Sequence, residues 1–333
     1  MSDSGNIIHK VHEKVRIFDR YPYAAHLYVT ERCNLACQYC SEYDNTLPHP
    51  KTGDLKKWMK KIKELGVLRL GLQGGEPLLH PDIVELVRYS KNLGFHEVGM
   101  SSNGFPLNRK MIWELDSAGL DKLQISVDRM TPVKSTKKSL AKIMHKLAWF
   151  RDSDIRIHVS AVLLDDTVQE TQQLIDTCLD LGIPVQSRVV HDDLINNRKL
   201  KSSESIEKML QLIKYQERLK KRGEKIHSSW NIIDYQKNIL LNKPVNWTCV
   251  AGYKYFFVSA RGKFWPCSQF RSDMDIMKVT PPYLHTFNCK KPCQEGCGIY
   301  CIVGLSLVVS HPLVHLAKKT RRGMIKRIKG YHS

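Results

Sequence analysis

The sequence predicts an α/β protein, a partial (β/α)6 TIM-like barrel followed by a small cysteine-rich C-terminal domain. Three observations carry this reading. Apolar runs of strand length alternate with segments of helical periodicity, the mark of a parallel sheet with crossover helices. Four of the helical segments end at a glycine (Gly66, Gly94, Gly119 and Gly182), where a left-handed cap residue is expected. Nine of the ten cysteines fall in three compact groups, and six of them follow residue 248.

Taken in chain order, the strands are expected at 26–30 (HLYVT), 68–73 (LRLGLQ), 97–102 (EVGMSS), 122–128 (KLQISVD), 156–164 (RIHVSAVLL) and 185–190 (VQSRVV). Helices between them are expected near 54–65, 81–93, 107–118, 135–151 and 168–181. These units define a core at 22–195, preceded by a polar extension at 1–21. Charged helical sequence then breaks the alternation and reads as a helical linker or lid at 196–245. From 246 to 305 comes the cysteine-rich domain, opened by YKYFFVSARGKFWPC, a hairpin turning at Arg261 and Gly262. The last segment, 306–333, is a basic tail whose final sixteen residues carry seven Lys or Arg and no acid.

An apolar content of 42% is enough for an ordinary buried core. The excess of 52 Lys and Arg over 33 Asp and Glu, a net +19, favours acidic partners such as nucleic acid, anionic lipid or a phosphorylated substrate. The N-terminus lacks the continuous apolar stretch of a secretory signal, so a cytoplasmic location is expected. In that compartment grouped cysteines favour metal ligation over disulfides. Cys178 stands apart inside a helical pattern and reads as a small buried core residue. The apolar run 299–317 is interrupted by Ser310, His311 and Pro312, which leaves it too short to span a bilayer. The tail beyond it has the composition of an interfacial helix and suggests peripheral membrane contact.

Directly after the first strand, Cys33, Cys37 and Cys40 form a Cys-x3-Cys-x2-Cys group. Structural zinc takes four protein ligands, and catalytic zinc favours His or carboxylate beside Cys. Thiolates alone on a tight loop suit an iron–sulfur cluster better, with zinc as the competing reading. With the aromatic Tyr39 preceding the last cysteine, the group resembles the signature of the radical S-adenosylmethionine (radical SAM) superfamily over about residues 22–190. The resemblance implies a [4Fe-4S] cluster held by Cys33, Cys37 and Cys40, with S-adenosyl-L-methionine chelating the fourth iron. It also implies that Gly74, Gly75 and Glu76 contact the methionyl ammonium and that Tyr39 lies beside the adenine. Ser102 and Asn103 in SSNG, with Ser126 and Asp128 in ISVD, match segments that bond the ribose or carboxylate. Ser160 and Arg188 match positions that reach the ribose and the methionine carboxylate. Taken alone, each of these polar residues is also an ordinary strand-end cap or ion-pair partner.

Cys249 and Cys267, spaced around Gly262, resemble the opening of the SPASM or twitch extensions that carry auxiliary iron–sulfur clusters. Cys289, Cys293, Cys297 and Cys301 follow with uniform three-residue gaps, unlike the usual SPASM spacing, and no cysteine comes after them. One or two auxiliary clusters are therefore expected, with zinc again the alternative.

The resemblance implies a radical SAM enzyme that reductively cleaves S-adenosylmethionine to a 5'-deoxyadenosyl radical and modifies a substrate, foremost a peptide or protein. A reducing partner such as flavodoxin or ferredoxin is implied. Radical tailoring of a membrane isoprenoid or other lipid is the alternative suggested by GGEPLLHP and the basic tail. A noncatalytic iron–sulfur protein that binds RNA through its basic surface is a third reading.

Overall fold

Six apolar runs become six parallel strands: β1 (Ala24–Thr30), β2 (Arg69–Gly74), β3 (Glu97–Ser102), β4 (Lys122–Ser126), β5 (Arg156–Leu163) and β6 (Val185–Val189). The structure is a computed structural model and describes residues 15–165, 167–190, 192, 202–244, 246–293 and 296–312. Of the basic tail expected at 306–333, everything beyond residue 312 lies outside the described residues, as does most of the N-terminal extension. Each strand pairs with the next in chain order, in register through Leu27 with Leu72, Leu72 with Met100, Met100 with Leu123 and Leu123 with Ile157. The result is an open, partial barrel of the expected α/β class.

The crossovers are α1 (Thr52–Glu64), α2 (Ile83–Asn92), α3 (Arg109–Ser117), α4 (Leu140–Leu147) and α5 (Val168–Asp180). Gly66, Gly94, Gly119 and Gly182 have φ of 90, 80, 89 and 72°, the left-handed cap conformation that glycine adopts without a Cβ penalty. Strand alternation divides the two faces. Leu123 and Ile125 of β4 are fully buried against the helices, whereas Lys122, Gln124 and Ser126 line the barrel interior. Cys178 is a buried residue of α5, and burial pushes its thiol up to about 12, as befits a core cysteine.

One crossover departs from expectation. The fourth strand ends at Ser126 instead of 128, and α4 starts at Leu140 instead of near 135. The intervening residues fold back on themselves, with both Asp128 N and Arg129 N donating to Lys138 O, and so spend their backbone bonds on a loop. That loop reaches the cysteines described below.

After the barrel come α6 (Ser203–Arg222) and α7 (Trp230–Leu240), the helical segment expected between the two cysteine groups. The hairpin then forms as β7 (Tyr255–Val258) and β8 (Phe264–Trp265). It does not stand apart from the barrel. β7 pairs in parallel with β1, Ala25 opposite Phe256, so the sheet has eight strands in the order β6-β5-β4-β3-β2-β1-β7-β8. The hairpin tip packs on α1: a Cβ at Gly262 would meet the Trp58 ring at 2.5 Å. Two further helices, α8 (Pro281–His285) and α9 (Tyr300–Ser310), complete the chain as described. A second core holds this region to the barrel, with Tyr28 edge-on to Trp265 at 5.4 Å and Tyr235 edge-on to Trp247 at 6.0 Å. No described helix is long and apolar enough to cross a membrane.

Candidate active site

Cys33, Cys37 and Cys40 lie on the loop leaving β1, at the end of the barrel where strands terminate and catalytic loops gather. The loop is held from several sides. Cys33 N donates to Asn45 Oδ1 at 2.8 Å, Gln38 N to Ser135 O at 2.9 Å, and Asp44 N to Glu31 O at 2.8 Å. From the C-terminal region, Arg271 donates to Ser41 O at 3.1 Å and to Glu42 at 3.2 Å. Cys37 is buried with its Sγ 3.4 Å from Thr136 Oγ1. Burial pushes the Cys40 thiol up to about 11 and raises that of Cys33 as well, while Lys138 opposes the shift at both. Thiols so placed ionise when a cationic centre compensates them, as metal ligation does.

The glycines of the Gly-Gly-Glu turn have a packing role on the page. Gly75 N donates to Thr30 O at 3.0 Å and Glu76 N to Arg32 O at 2.8 Å, so the end of β2 lies directly against the cysteine loop. Glu76 departs from its expected place. It is fully buried behind the cavity wall, where its carboxylate accepts from Ser102 Oγ (2.7 Å), Asn103 N (2.7 Å) and Leu78 N (3.1 Å). Burial pushes it up to about 7 against the pull of those donors. Asp128 is likewise fully buried, taking bonds from Tyr39 Oη (2.6 Å), Thr136 Oγ1 (3.1 Å) and Val162 N (3.2 Å). Tyr39 Oη also accepts from Lys138 Nζ at 2.8 Å.

The remaining expected residues converge. A single cavity of about 860 Å³ is lined by the three thiols and Tyr39, by Gly74 and Gly75, and by Ser102, Asn103, Ser126, Ser160 and Arg188. Glu76 and Asp128 support this wall from behind. Cys301 also faces the cavity, on the β7 side, where its thiol bonds the Tyr255 hydroxyl. The other C-terminal cysteines gather beside it. Cys267 lies within electrostatic reach of Cys301, Cys249 and Cys293, and Cys297 within reach of Cys267, Cys249 and Cys293. Cys289 is exposed and accepts from Lys291 Nζ at 3.5 Å. Among the described residues no three His, Cys, Asp or Glu side chains converge as ligands of one ion. A four-iron cluster takes each thiolate at its own iron, so its ligands need no common point, and the three cavity thiols fit such a group.

Residues 27–178 match the profile of the Radical SAM superfamily. The match covers 152 of the 333 residues, a little under half of the chain, and makes the barrel similar to that superfamily. The family uses a [4Fe-4S] cluster and S-adenosylmethionine. A PqqA peptide cyclase of Bradyrhizobium diazoefficiens is 27% identical over 265 residues, 74% of this chain and 66% of its own length. A probable GTP 3',8-cyclase of Methanococcus maripaludis is 29% identical over 170 residues, 48% of this chain and 56% of its own. This chain thus spans less than two thirds of each of these relatives. Streptococcus suis SuiB bound to the precursor peptide SuiA has a TM-score of 0.63 at 15% identity, over 86% of this chain and 69% of its own. A structure of anSMEcpe with bound AdoMet has the same TM-score at 14% identity, over 89% of this chain and all of its own. These likenesses show the fold.

In and around the cavity lie groups that motif reading passed over. Thr136 and Lys138 reach the cysteine loop from the unexpected loop before α4. His26, Lys122 and His158 point inward from the strands, and His227 enters after α6. Their signal was the alternation itself: in KLQIS and RIHVS one strand face is apolar and the other polar. Burial holds His26 down to about 4 and drives His158 lower still. Both bind a proton in the unfolded chain below about pH 6.5 that the folded chain refuses, so stability rises with pH from about 4 to 6.5. Glu76 acts oppositely, its folded form keeping a proton up to about 7. His227, held down to about 3 by burial, adds a third such group, and together the histidines outweigh one carboxyl. The free energy of unfolding should rise between pH 5 and 6.5 with a slope of no more than about 2.7 kcal/mol per pH unit, two net protons. Thermal unfolding followed at both pH values checks this, and a fall over that range contradicts it.

Proposed function

We propose that this protein is an enzyme that reductively cleaves S-adenosylmethionine and uses the resulting radical to modify a peptide or protein. The observation that carries the reading is the convergence of Cys33, Cys37 and Cys40 with the Gly74–Gly75, Ser102–Asn103 and Ser126 segments on one cavity. Bound there, the cluster would supply the electron that breaks a carbon–sulfur bond of S-adenosylmethionine, giving methionine and a 5'-deoxyadenosyl radical. Cys33, Cys37 and Cys40 would each hold one iron. The backbone at Gly74 and Gly75, with Ser102, Asn103, Ser126 and Ser160, would bind and orient S-adenosylmethionine. Glu76 would act chiefly by fixing Ser102 and Asn103, and Asp128 by fixing Tyr39 and Thr136. Arg188, whose Nη2 donates to Gln186 Oε1 at 2.8 Å, remains placed to receive a carboxylate. Cys249, Cys267, Cys293 and Cys297 would hold an auxiliary cluster beside the cavity, near Cys301.

A peptide substrate is supported by the likeness to the PqqA peptide cyclase and by the SuiB fold, whose structure contains a precursor peptide. Anaerobically reconstituted protein given S-adenosylmethionine and dithionite is expected to release 5'-deoxyadenosine. Co-expression with any short peptide encoded beside its gene is expected to shift that peptide's mass. Absence of 5'-deoxyadenosine from fully reconstituted protein would sink the radical reading. Product formation with an unaltered peptide would sink the substrate reading.

A further inference from the structure

We infer that the substrate presents an oxyanion, a carboxylate or a phosphate, to the inner end of the barrel, where Lys122 receives it beneath His158 and His227. The inference rests on the cavity being the S-adenosylmethionine-dependent active site and adds the chemistry of what enters it.

The inward side chains of the strands form tiers. Where the strands begin, Arg69, Glu97 and Lys122 line the cavity, and Arg156 sits opposite Lys122 on β5. Glu97 is the one carboxylate among these four, and two arginines share it: Arg156 Nη2 at 2.7 Å and Arg69 Nη1 at 3.3 Å. Lys122 has no carboxylate at ion-pair distance among the described residues. Glu97 is thus already engaged by two arginines, and Lys122 lines the cavity beside it without a salt bridge of its own, where a charge lacking a close partner is costly. Desolvation lowers the Lys122 ammonium from its ordinary range, Glu97 opposes the shift, and Arg69, Arg156 and Arg188 add to it.

One tier higher, His158 and His227 stack with ring centroids 3.9 Å apart and planes 16° from parallel. His158 is buried. Its Nε2 lies 3.3 Å from Gln124 Oε1, and its Nδ1 is buried without a partner. Burial keeps both rings neutral, reinforced by Lys122 and Arg188. Gly71 and Gly99 contribute no side chain to the cavity wall. A Cβ on Gly99 would come no closer than 3.8 Å to its neighbours, so there is space on that side, whereas the His26 ring fills the space over Gly71. An ammonium, neutral imidazoles and room above them suit an oxyanion. An apolar or cationic group would leave Lys122 with only the attraction of Glu97, which two arginines already engage.

The carboxylate of S-adenosylmethionine does not meet this need. Its candidate contacts lie at the strand ends, and Ser126 is four residues along β4 from Lys122, about 13 Å at the usual rise. The inner tier faces whatever reaches past the cofactor.

The test uses reconstituted protein already saturated with S-adenosylmethionine, titrated calorimetrically with glutarate and, separately, with inorganic phosphate. Wild type should bind at least one of them saturably. Lys122→Met should weaken that binding about tenfold or more while S-adenosylmethionine affinity and thermal unfolding stay unchanged, and Lys122→Arg should restore it. If Lys122→Met does not fold, Lys122→Gln takes its place. Tighter glutarate identifies a carboxylate-bearing substrate, and tighter phosphate a phosphorylated one. No binding of either anion, or binding by Lys122→Met or Lys122→Gln equal to wild type, overturns the inference. The same preparations are assayed for 5'-deoxyadenosine. Product without anion binding rejects this site alone, and anion binding without product rejects the radical reading alone.

Discussion

Replacing Cys33, Cys37 and Cys40 together with alanine is expected to abolish 5'-deoxyadenosine formation and to remove about four irons per chain. The expectation is strong because the three thiols sit on one loop and face one cavity, and no other described cysteine except Cys301 lines that cavity. Cys301 belongs to the β7 side, where Tyr255 and Arg188 engage it. The iron left in the triple variant reports the auxiliary content: about four means one further cluster and about eight means two. Cys249 lies within electrostatic reach of Cys293 and Cys289, and Cys267 of Cys301, Cys249 and Cys293, so all six C-terminal cysteines are candidates for the iron that remains. Persistent 5'-deoxyadenosine in the triple variant would overturn the assignment of these thiols.

Gly75→Ala is expected to cost about 1–3 kcal/mol of stability and to lower S-adenosylmethionine affinity at least about tenfold. A Cβ on Gly75 would stand 2.4 Å from Arg32 O and 2.7 Å from Glu31 O, and one on Gly74, at φ 150°, 2.0 Å from Thr30 O. All of these are backbone atoms of the chain leading into Cys33, so no rotamer change relieves the clash. The end of β2 must separate from the cysteine loop, carrying Glu76 and its hold on Ser102 and Asn103 with it. Gly53→Ala is the control, since a Cβ there meets nothing within 4 Å. Thermal unfolding and equilibrium binding of S-adenosylmethionine measure the two effects. A Gly75→Ala protein that matches wild type in both would show that the packing does not position the site.

The barrel was legible because its physics is local. Strand runs such as EVGMSS and glycine caps such as Gly94 encode their conformations within a few residues, and the structure ends those elements within two residues of expectation. The exception, the loop from Val127 to Ser139, follows from contacts distant in sequence. Thr136 meets Cys37, and Lys138 meets Tyr39, across about a hundred residues. A helical pattern over 135–151 gives no sign of partners that far away.

The same division holds at the site. Cysteine spacing alone pointed to three ligands on one loop, because neighbours in a short loop are neighbours in space. Sequence also identified the segments that line the cavity. Tertiary structure decided which side of the wall each residue occupies: Glu76 and Asp128 turn away from the cavity to bury their carboxylates among donors, while Ser126 and Arg188 face it. It also placed the hairpin. Residues 255–258 read as the start of a separate domain, yet they pair with β1, because a parallel strand edge left open satisfies its backbone groups by taking another strand. Spacing along the chain thus determined the chemistry this protein carries, and long-range burial and pairing decided where its charges stand.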